Sequence, residues 1–209
     1  MVSRSFPVDN FTGMNINLPA NVTWRSAPEP SVTVVMQENF FEYLNLYVSR
    51  GNLVINSQTH LAISAANRPR VYIYSPYINN VTFAGALDTV NWDTINSEHF
   101  TIRANGAVNV TLDLQVDVLD VNGSGAVDFI LSGGANTANI NLSGAVDILS
   151  FGLLIRDAEL TVSGAADVDV SVSDTLSLNI SGAADVRYKG NPTITRNRVS
   201  GSARVIHVQ

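Results

Sequence analysis

The chain has 209 residues, 45% hydrophobic and 14% charged, which suffices for a sizeable core in one or two domains and is too apolar for a disordered chain. Net charge is −6 and all 12 basic residues are Arg except Lys189, so no broad basic surface is offered to nucleic acid. Cysteine is absent, which excludes disulfides, thiolate metal sites and a Cys nucleophile. No apolar run approaches the ~20 residues of a transmembrane helix.

At the N-terminus, Met1-Val2-Ser3-Arg4-Ser5-Phe6 lacks the apolar stretch of a signal peptide, and reads as a cytoplasmic start or as a chain whose export leader has been removed. Period-two alternation follows at Met14, Ile16 and Leu18, at Val32, Val34 and Met36, at Leu44, Leu46 and Val48, and at Leu53 and Ile55. It predicts half-buried strands. Pro19-Ala20-Asn21, Pro28-Glu29-Pro30, Ser49-Arg50-Gly51-Asn52 and Arg68-Pro69-Arg70 supply the reversals between them. Residues 38–47 fit a turn or two of helix, or a strand.

From residue 81 onward the pattern tightens. Gly85, Gly106, Gly125, Gly144, Gly164, Gly182 and Gly201 fall 21, 19, 19, 20, 18 and 19 residues apart. A period near twenty in strand-like sequence means stacked units, each leaning on its neighbours. Around Gly144 the apolar positions are Ile140, Leu142, Val146 and Ile148, and the other repeats keep the same columns. Apolar parity therefore passes through the glycine, so each unit is a strand, a bend and a second strand on one core. The residue after the glycine is Ala in six repeats and Ser202 in the last, as tight lateral packing requires. The expected fold is all-β: a right-handed parallel β-helix, or solenoid, of about 19-residue repeats over residues 81–209. Irregular N-terminal strands, residues 1–80, would pack on it or continue it.

Ser143-Gly144-Ala145-Val146-Asp147, Ser163-Gly164-Ala165-Ala166-Asp167-Val168 and Ser181-Gly182-Ala183-Ala184-Asp185-Val186 resemble the repeats of the bacterial putative auto-transporter adhesin, head GIN domain family. Phe11-Thr12-Gly13-Met14-Asn15-Ile16, Gly51-Asn52-Leu53-Val54-Ile55 and Val71-Tyr72-Ile73-Tyr74-Ser75-Pro76-Tyr77-Ile78 extend the resemblance over nearly the whole chain. It implies a β-helical domain of exported or envelope-anchored bacterial proteins, hence an extracytoplasmic location if an export leader was removed. It transfers no catalytic residues.

Three residues after the glycine stand Asp88, Asn109, Asp128, Asp147, Asp167, Asp185 and Arg204. Stacked in register, neighbouring carboxylates repel by ~1 kcal/mol in a water-like dielectric. Hydrogen bonds from turn N–H groups, worth about 1.5–3 kcal/mol to a charged acceptor, would outweigh that. The alternative is a calcium ladder on Asp128, Asp147, Asp167 and Asp185, since a hard cation prefers oxygen ligands. It has a weakness: six to eight oxygens are needed and each repeat supplies one obvious carboxylate. Arg204 is expected to end the stack as a counter-charge to Asp185, with Arg187, Lys189, Arg196 and Arg198 forming a solvated cap at the same end.

Five residues after the glycine, Ile130 and Leu149 join Val90 and Ile206 in a column that should face outward. Cover by the N-terminal strands is expected, with self-association as the alternative. Tyr72, Tyr74 and Tyr77 could stack on a glycan, although sheet packing is the commoner fate of such rings. No catalytic residues can be assembled. Asp167 and Asp169, or Asp117 and Asp120, are pairs expected by chance among 13 Asp residues, and His60, His99 and His207 stand far apart. The expectation is thus a non-catalytic structural or adhesive module without cofactor, binding a surface glycan or envelope protein. A polysaccharide-acting β-helix enzyme is the alternative.

Overall fold

Strands form here because alternate side chains of each segment reach one shared interior, which only stacking of extended backbone can build from so short a period. The computed structural model describes residues 1–58, 63 and 67–209. Its strands are β1 (Val2–Pro7), β2 (Gly13–Asn17), β3 (Ala20–Ser26), β4 (Ser31–Met36), β5 (Leu44–Ser49), β6 (Asn52–Ser57), β7 (Arg70–Ser75), β8 (Asn80–Thr89), β9 (Ile95–Lys189), β10 (Thr193–Gly201) and β11 (Arg204–His207). A single turn-like 3-10 helix, Glu38–Tyr43, precedes β5, so the ambiguous segment 38–47 is helix first and strand second.

The protein is all-β, one curled eleven-stranded sheet. β9 runs for 95 residues, far beyond an ordinary strand, because it folds back over itself. The glycine lattice shows how. A Cβ added at Gly125 would lie 2.8 Å from the carbonyl oxygen of Gly106, and one at Gly144 equally close to that of Gly125, so successive glycines lie one over another. β8 pairs parallel with β9, Gly85 opposite Gly106, and β10 pairs parallel with it, Gly201 opposite Gly182. Each glycine-centred unit is called a rung below.

The inward columns are buried in the rungs around Gly85 through Gly182; Phe83, Leu87, Val121, Phe129, Ile148 and Leu178 are all at 0% exposure. In the last rung the equivalent Asn197 and Val199 are exposed, because no strand among the described residues pairs with the outer side of β10. A second corner, which the regular spacing did not flag, turns at Gly133 (φ +105) over Leu114 and at Gly190 (φ +92) over Val172.

The N-terminal half corrects the expectation of a wholly parallel sheet. β2 and β3 lie parallel beneath β8, and β6 and β7 lie parallel beneath β2 and β3, with Met14 opposite both Val81 and Leu53. Beyond them β5 pairs antiparallel with β6, β4 antiparallel with β7, and β1 antiparallel with β4, so the sheet is mixed. For β5 and β6 the physical reason is the short link, whereas β1 and β4 pair across long stretches of chain. Arg50 (φ 52) and Gly51 (φ 74) form a tight positive-φ reversal between β5 and β6, and a two-residue hairpin can join only antiparallel strands. Phe41 of the 3-10 helix is buried and packs against Phe6, closing this end.

Candidate functional site

Three outer surfaces merit description. The largest is a groove of about 1100 Å³ beside the second corner. Its lining repeats by rung: Glu98, Asp117, Asn136, Arg156 and Asp174 occupy successive layers, with Lys189 in the last. Six rungs at ~4.8 Å give a trough roughly 25 Å long, running across the strands. Gly134, Ala135 and Gly190 keep the floor low, while Leu154 projects at 69% exposure and Phe151 lies under the Lys189 ammonium, 4.8 Å from the ring centroid. The walls are tied by inter-rung hydrogen bonds: Asn136 Nδ2 donates to Asp117 Oδ1 at 2.8 Å, and Ser171 Oγ to the Phe151 carbonyl at 2.9 Å. Beside the lining, Thr175 Oγ1 donates to Asp157 Oδ1 at 2.5 Å. The Thr175 hydroxyl and then the Arg156 guanidinium hold the Asp157 carboxyl below its ordinary pKa.

The second surface carries the Asp column. Asp88, Asn109, Asp128 and Asp147 line a shallow hollow of about 450 Å³ with the Ala column beside them. The carboxylates are held mainly from the neighbouring rung rather than by their own turn. Asp88 takes Arg68 and, at 2.6 Å, the Asn109 amide; Asp147 Oδ1 accepts the backbone N–H of Asp167 at 3.2 Å. Asp185 receives a bidentate pair from Arg204, Nε at 2.9 Å and Nη2 at 2.6 Å, as expected of a terminal counter-charge. That guanidinium lowers the Asp185 pKa, and the carboxylate raises that of Arg204. Among the described residues, no three of His, Cys, Asp and Glu are grouped to hold a metal ion.

The third surface is the outer face of β7, where Tyr72 and Tyr74 stand two residues apart and half-buried. Tyr72 lies between Thr33 of β4 and Thr23 of β3, and Tyr74 between Ser31 and Arg25. Tyr77 follows the strand and is exposed.

The remaining expectations fare differently. Ile130 and Leu149 are about half exposed, so the N-terminal strands do not cover them; those strands stack at the end of the sheet instead of folding along its side. Only Val90 of that column is tied to them, through its N–H to the Val22 carbonyl. Asp167 and Asp169 do not act as a pair: Asp167 is exposed, whereas Asp169, 5% exposed, is clamped by Arg187 at 2.6 and 2.8 Å. His99 meets Asp120 at 2.6 Å, but the Ser97 hydroxyl donates to the His99 backbone carbonyl rather than to its ring. Burial pushes the Asp120 carboxyl up, and the Asn139 amide and His99 outweigh it, so its pKa lies below the ordinary value. His207 stacks on Tyr188 with centroids 4.8 Å apart, and His60 lies outside the described residues.

Sequence reasoning missed the pairing rule that builds these walls: an Asp in one rung is met by a donor 18 to 21 residues later. Asp113 with Ser132, Asp120 with Asn139, and Asp169 with Arg187 all obey it. The signal was present as an Asp-to-donor correlation at the repeat spacing.

The family model described as putative auto-transporter adhesin, head GIN domain, matches residues 10–192. No curated protein matches the chain. Among solved structures, a putative adhesin from Bacteroides fragilis superimposes with TM-score 0.92 at 20% identity, over 99% of this chain and 96% of that one. Putative adhesins from Parabacteroides distasonis (TM-score 0.70, 18% identity, 99% and 96% covered) and Parabacteroides merdae (0.68, 17%, 100% and 96%) are also similar. At these identities the likeness is one of fold. No helix among the described residues is long and apolar enough to cross a membrane.

Proposed function

Because the chain belongs to the putative auto-transporter adhesin, head GIN domain family, we propose that it is a non-catalytic, extracytoplasmic binding module whose side groove holds a linear glycan. The observation that carries this is the trough beside the second corner. It repeats carboxylate, amide and guanidinium groups rung by rung over an apolar, low floor, which is how a polar chain with apolar ring faces is recognised. Its walls are prearranged by hydrogen bonds between rungs, so little ordering is needed on binding. We further read the glycine-stacked rungs as a right-handed parallel β-helix of about 19-residue repeats, supported by the parallel register of β8 and β10 on β9 and by the usual hand of parallel crossovers.

A non-catalytic role is favoured by the site's composition. Of its lining carboxylates, Asp117 accepts the Asn136 amide and Asp174 the Ser173 hydroxyl, and no nucleophile, base and orienting group come together among the described residues. The test is a glycan array together with turnover assays on acidic and neutral polysaccharides. Saturable binding without product, weakened by Leu154→Ala and by Ser173→Trp across the trough, is the expected result. Product formation, or binding indifferent to both substitutions, would refute it, and loss on Tyr72→Ala/Tyr74→Ala instead would move the site to the β7 face.

A further inference from the structure

The two ends of the sheet are built differently. At the N-terminal end β4, β5, β1 and the 3-10 helix close the stack. β1 and β5 are edge strands there, but the core beneath them is covered; at the other end β10 pairs among the described residues only with β9, and every one of its nine residues is exposed. Val199 and Ile194 sit over Ile180 and Leu176, in the columns that are fully buried in the rungs below, yet they are 40% and 37% exposed. The core is therefore uncovered here, and a row of strand N–H and C=O groups faces outward.

This edge is firmly held. β10 keeps register with β9 from Arg196 to Gly201, Ser200 Oγ donates to the Ile180 carbonyl, and β11 is fixed by the Arg204–Asp185 pair and the Tyr188–His207 stack. It is also strongly cationic. Arg187, Lys189, Arg196, Arg198 and Arg204 lie in the last 23 residues, while all 18 Asp and Glu lie at or before Asp185. Arg187 and Arg204 are committed to Asp169 and Asp185, and Lys189 to the Phe151 ring. Arg196 reaches only an exposed Glu159 at 3.8 Å, and Arg198 has no ion pair among the described residues.

We propose that the open edge of β10 is a docking site for an extended acidic polypeptide segment that adds to the sheet as a further strand. Unpaired backbone groups call for a strand, the uncovered Val199 calls for an apolar side chain beside it, and Arg196 and Arg198 on the opposite parity call for carboxylates at alternate positions. The same arginines disfavour a second copy in the register that would pair the whole strand. Two-fold antiparallel pairing of β10 about Asn197 would set Arg196 against Arg198 on both sides. The register shift between Ile194 and Arg196 limits the pairing stretch to the residues beyond it.

The test uses the full chain and a labelled peptide of alternating glutamate and valine, matched in length to the regular stretch 196–201. Fluorescence anisotropy is read at about 0.15 M salt. The expected result is saturable binding that is at least ~10-fold weaker for the lysine–valine peptide and for Arg196→Glu/Arg198→Glu. A glutamate–valine peptide N-methylated at alternate positions should not bind, and hydrogen exchange should slow at 196–201 when the unmodified peptide is bound. Absence of binding overturns the proposal. So does equal binding of the N-methylated peptide, which would make the contact one of charge alone. Binding to phosphatidylglycerol vesicles without peptide binding would assign the edge to an anionic membrane, and peptide-free dimerisation would assign it to a second copy; either overturns it too. The N-methylated control needs no protein variant, so a poorly folded double mutant leaves the proposal testable.

Discussion

Gly144→Ala should destabilise the protein by more than a positive-φ glycine substitution ordinarily does, because two costs coincide. Gly144 sits at φ +106, and an alanine in the left-handed region costs about 1–2 kcal/mol. Its Cβ would also stand 2.8 Å from the oxygen and 2.9 Å from the nitrogen of Gly125, both backbone atoms that cannot rotate aside. The rungs must part by roughly half an ångström, an overpacking of about 1–3 kcal/mol, for a total near 2–5 kcal/mol. Two glycines separate the terms. Gly51, at φ +74 with nothing within 4 Å, carries the backbone cost alone, so Gly51→Ala should lose about 1–2 kcal/mol. Gly152 is not in the left-handed region and its nearest neighbour, Ser132 Cβ, is at 3.5 Å; Gly152→Ala should gain about 0.4–1 kcal/mol by restricting the unfolded chain. Urea unfolding followed by circular dichroism gives the order. If Gly144→Ala is no worse than Gly51→Ala, the glycines do not bear on one another and the stacking account fails.

Arg187→Ala leaves the Asp169 carboxylate buried without its bidentate partner; with Arg187 itself about half exposed, the expected loss is about 2 kcal/mol, and Asp169→Asn in the same chain should recover part of it in a double-mutant cycle. Acid should unfold the protein. The pKa values of Asp93, Asp120, Asp157 and Asp185 are lowered in the fold, the first chiefly by Arg25, so their contribution is complete above the unfolded value near ~3.9 and vanishes as pH falls through the lower folded values. Tm should therefore fall as pH drops below about 4, and Asp93→Asn should flatten that limb; an unchanged limb in the variant would contradict the assignment. Calcium is predicted to do little. With Asp88, Asp147 and Asp185 already engaged by protein donors, Tm in millimolar calcium and in excess chelator should coincide, and a rise with calcium would revive the ladder on Asp128, Asp147, Asp167 and Asp185.

The stacked half of the fold was legible because one requirement, backbone passing over backbone at a corner, admits essentially one residue type. Gly106, Gly125 and Gly144 are spaced by the path length of a rung, and a spacing survives even when neighbouring residues vary. The mixed N-terminal half was less legible because its strands stack out of chain order. β2 and β3 lie between β8 and the later-synthesised β6 and β7, and alternation in Met14, Ile16 and Leu18 reports a buried face without naming which strand lies beside it.

The trough was illegible for a different reason. Its members are outward-facing polar residues that recur at the repeat spacing but not in residue type, so Glu98, Asp117, Asn136 and Asp174 form no column that sequence similarity picks out. What aligns them is the interior: because Leu112, Leu131 and Val170 fix each rung's path around the second corner, whatever stands a few residues further on is delivered to the same wall. Inter-rung pairs such as Asp117 with Asn136 then follow, since replacing one of two carboxylates ~4.8 Å apart by an amide turns a repulsion into a hydrogen bond. The core thus sets position and the Asp117–Asn136 pair ties two layers of the wall, so Asn136→Asp should loosen the wall there without disturbing the columns beneath it.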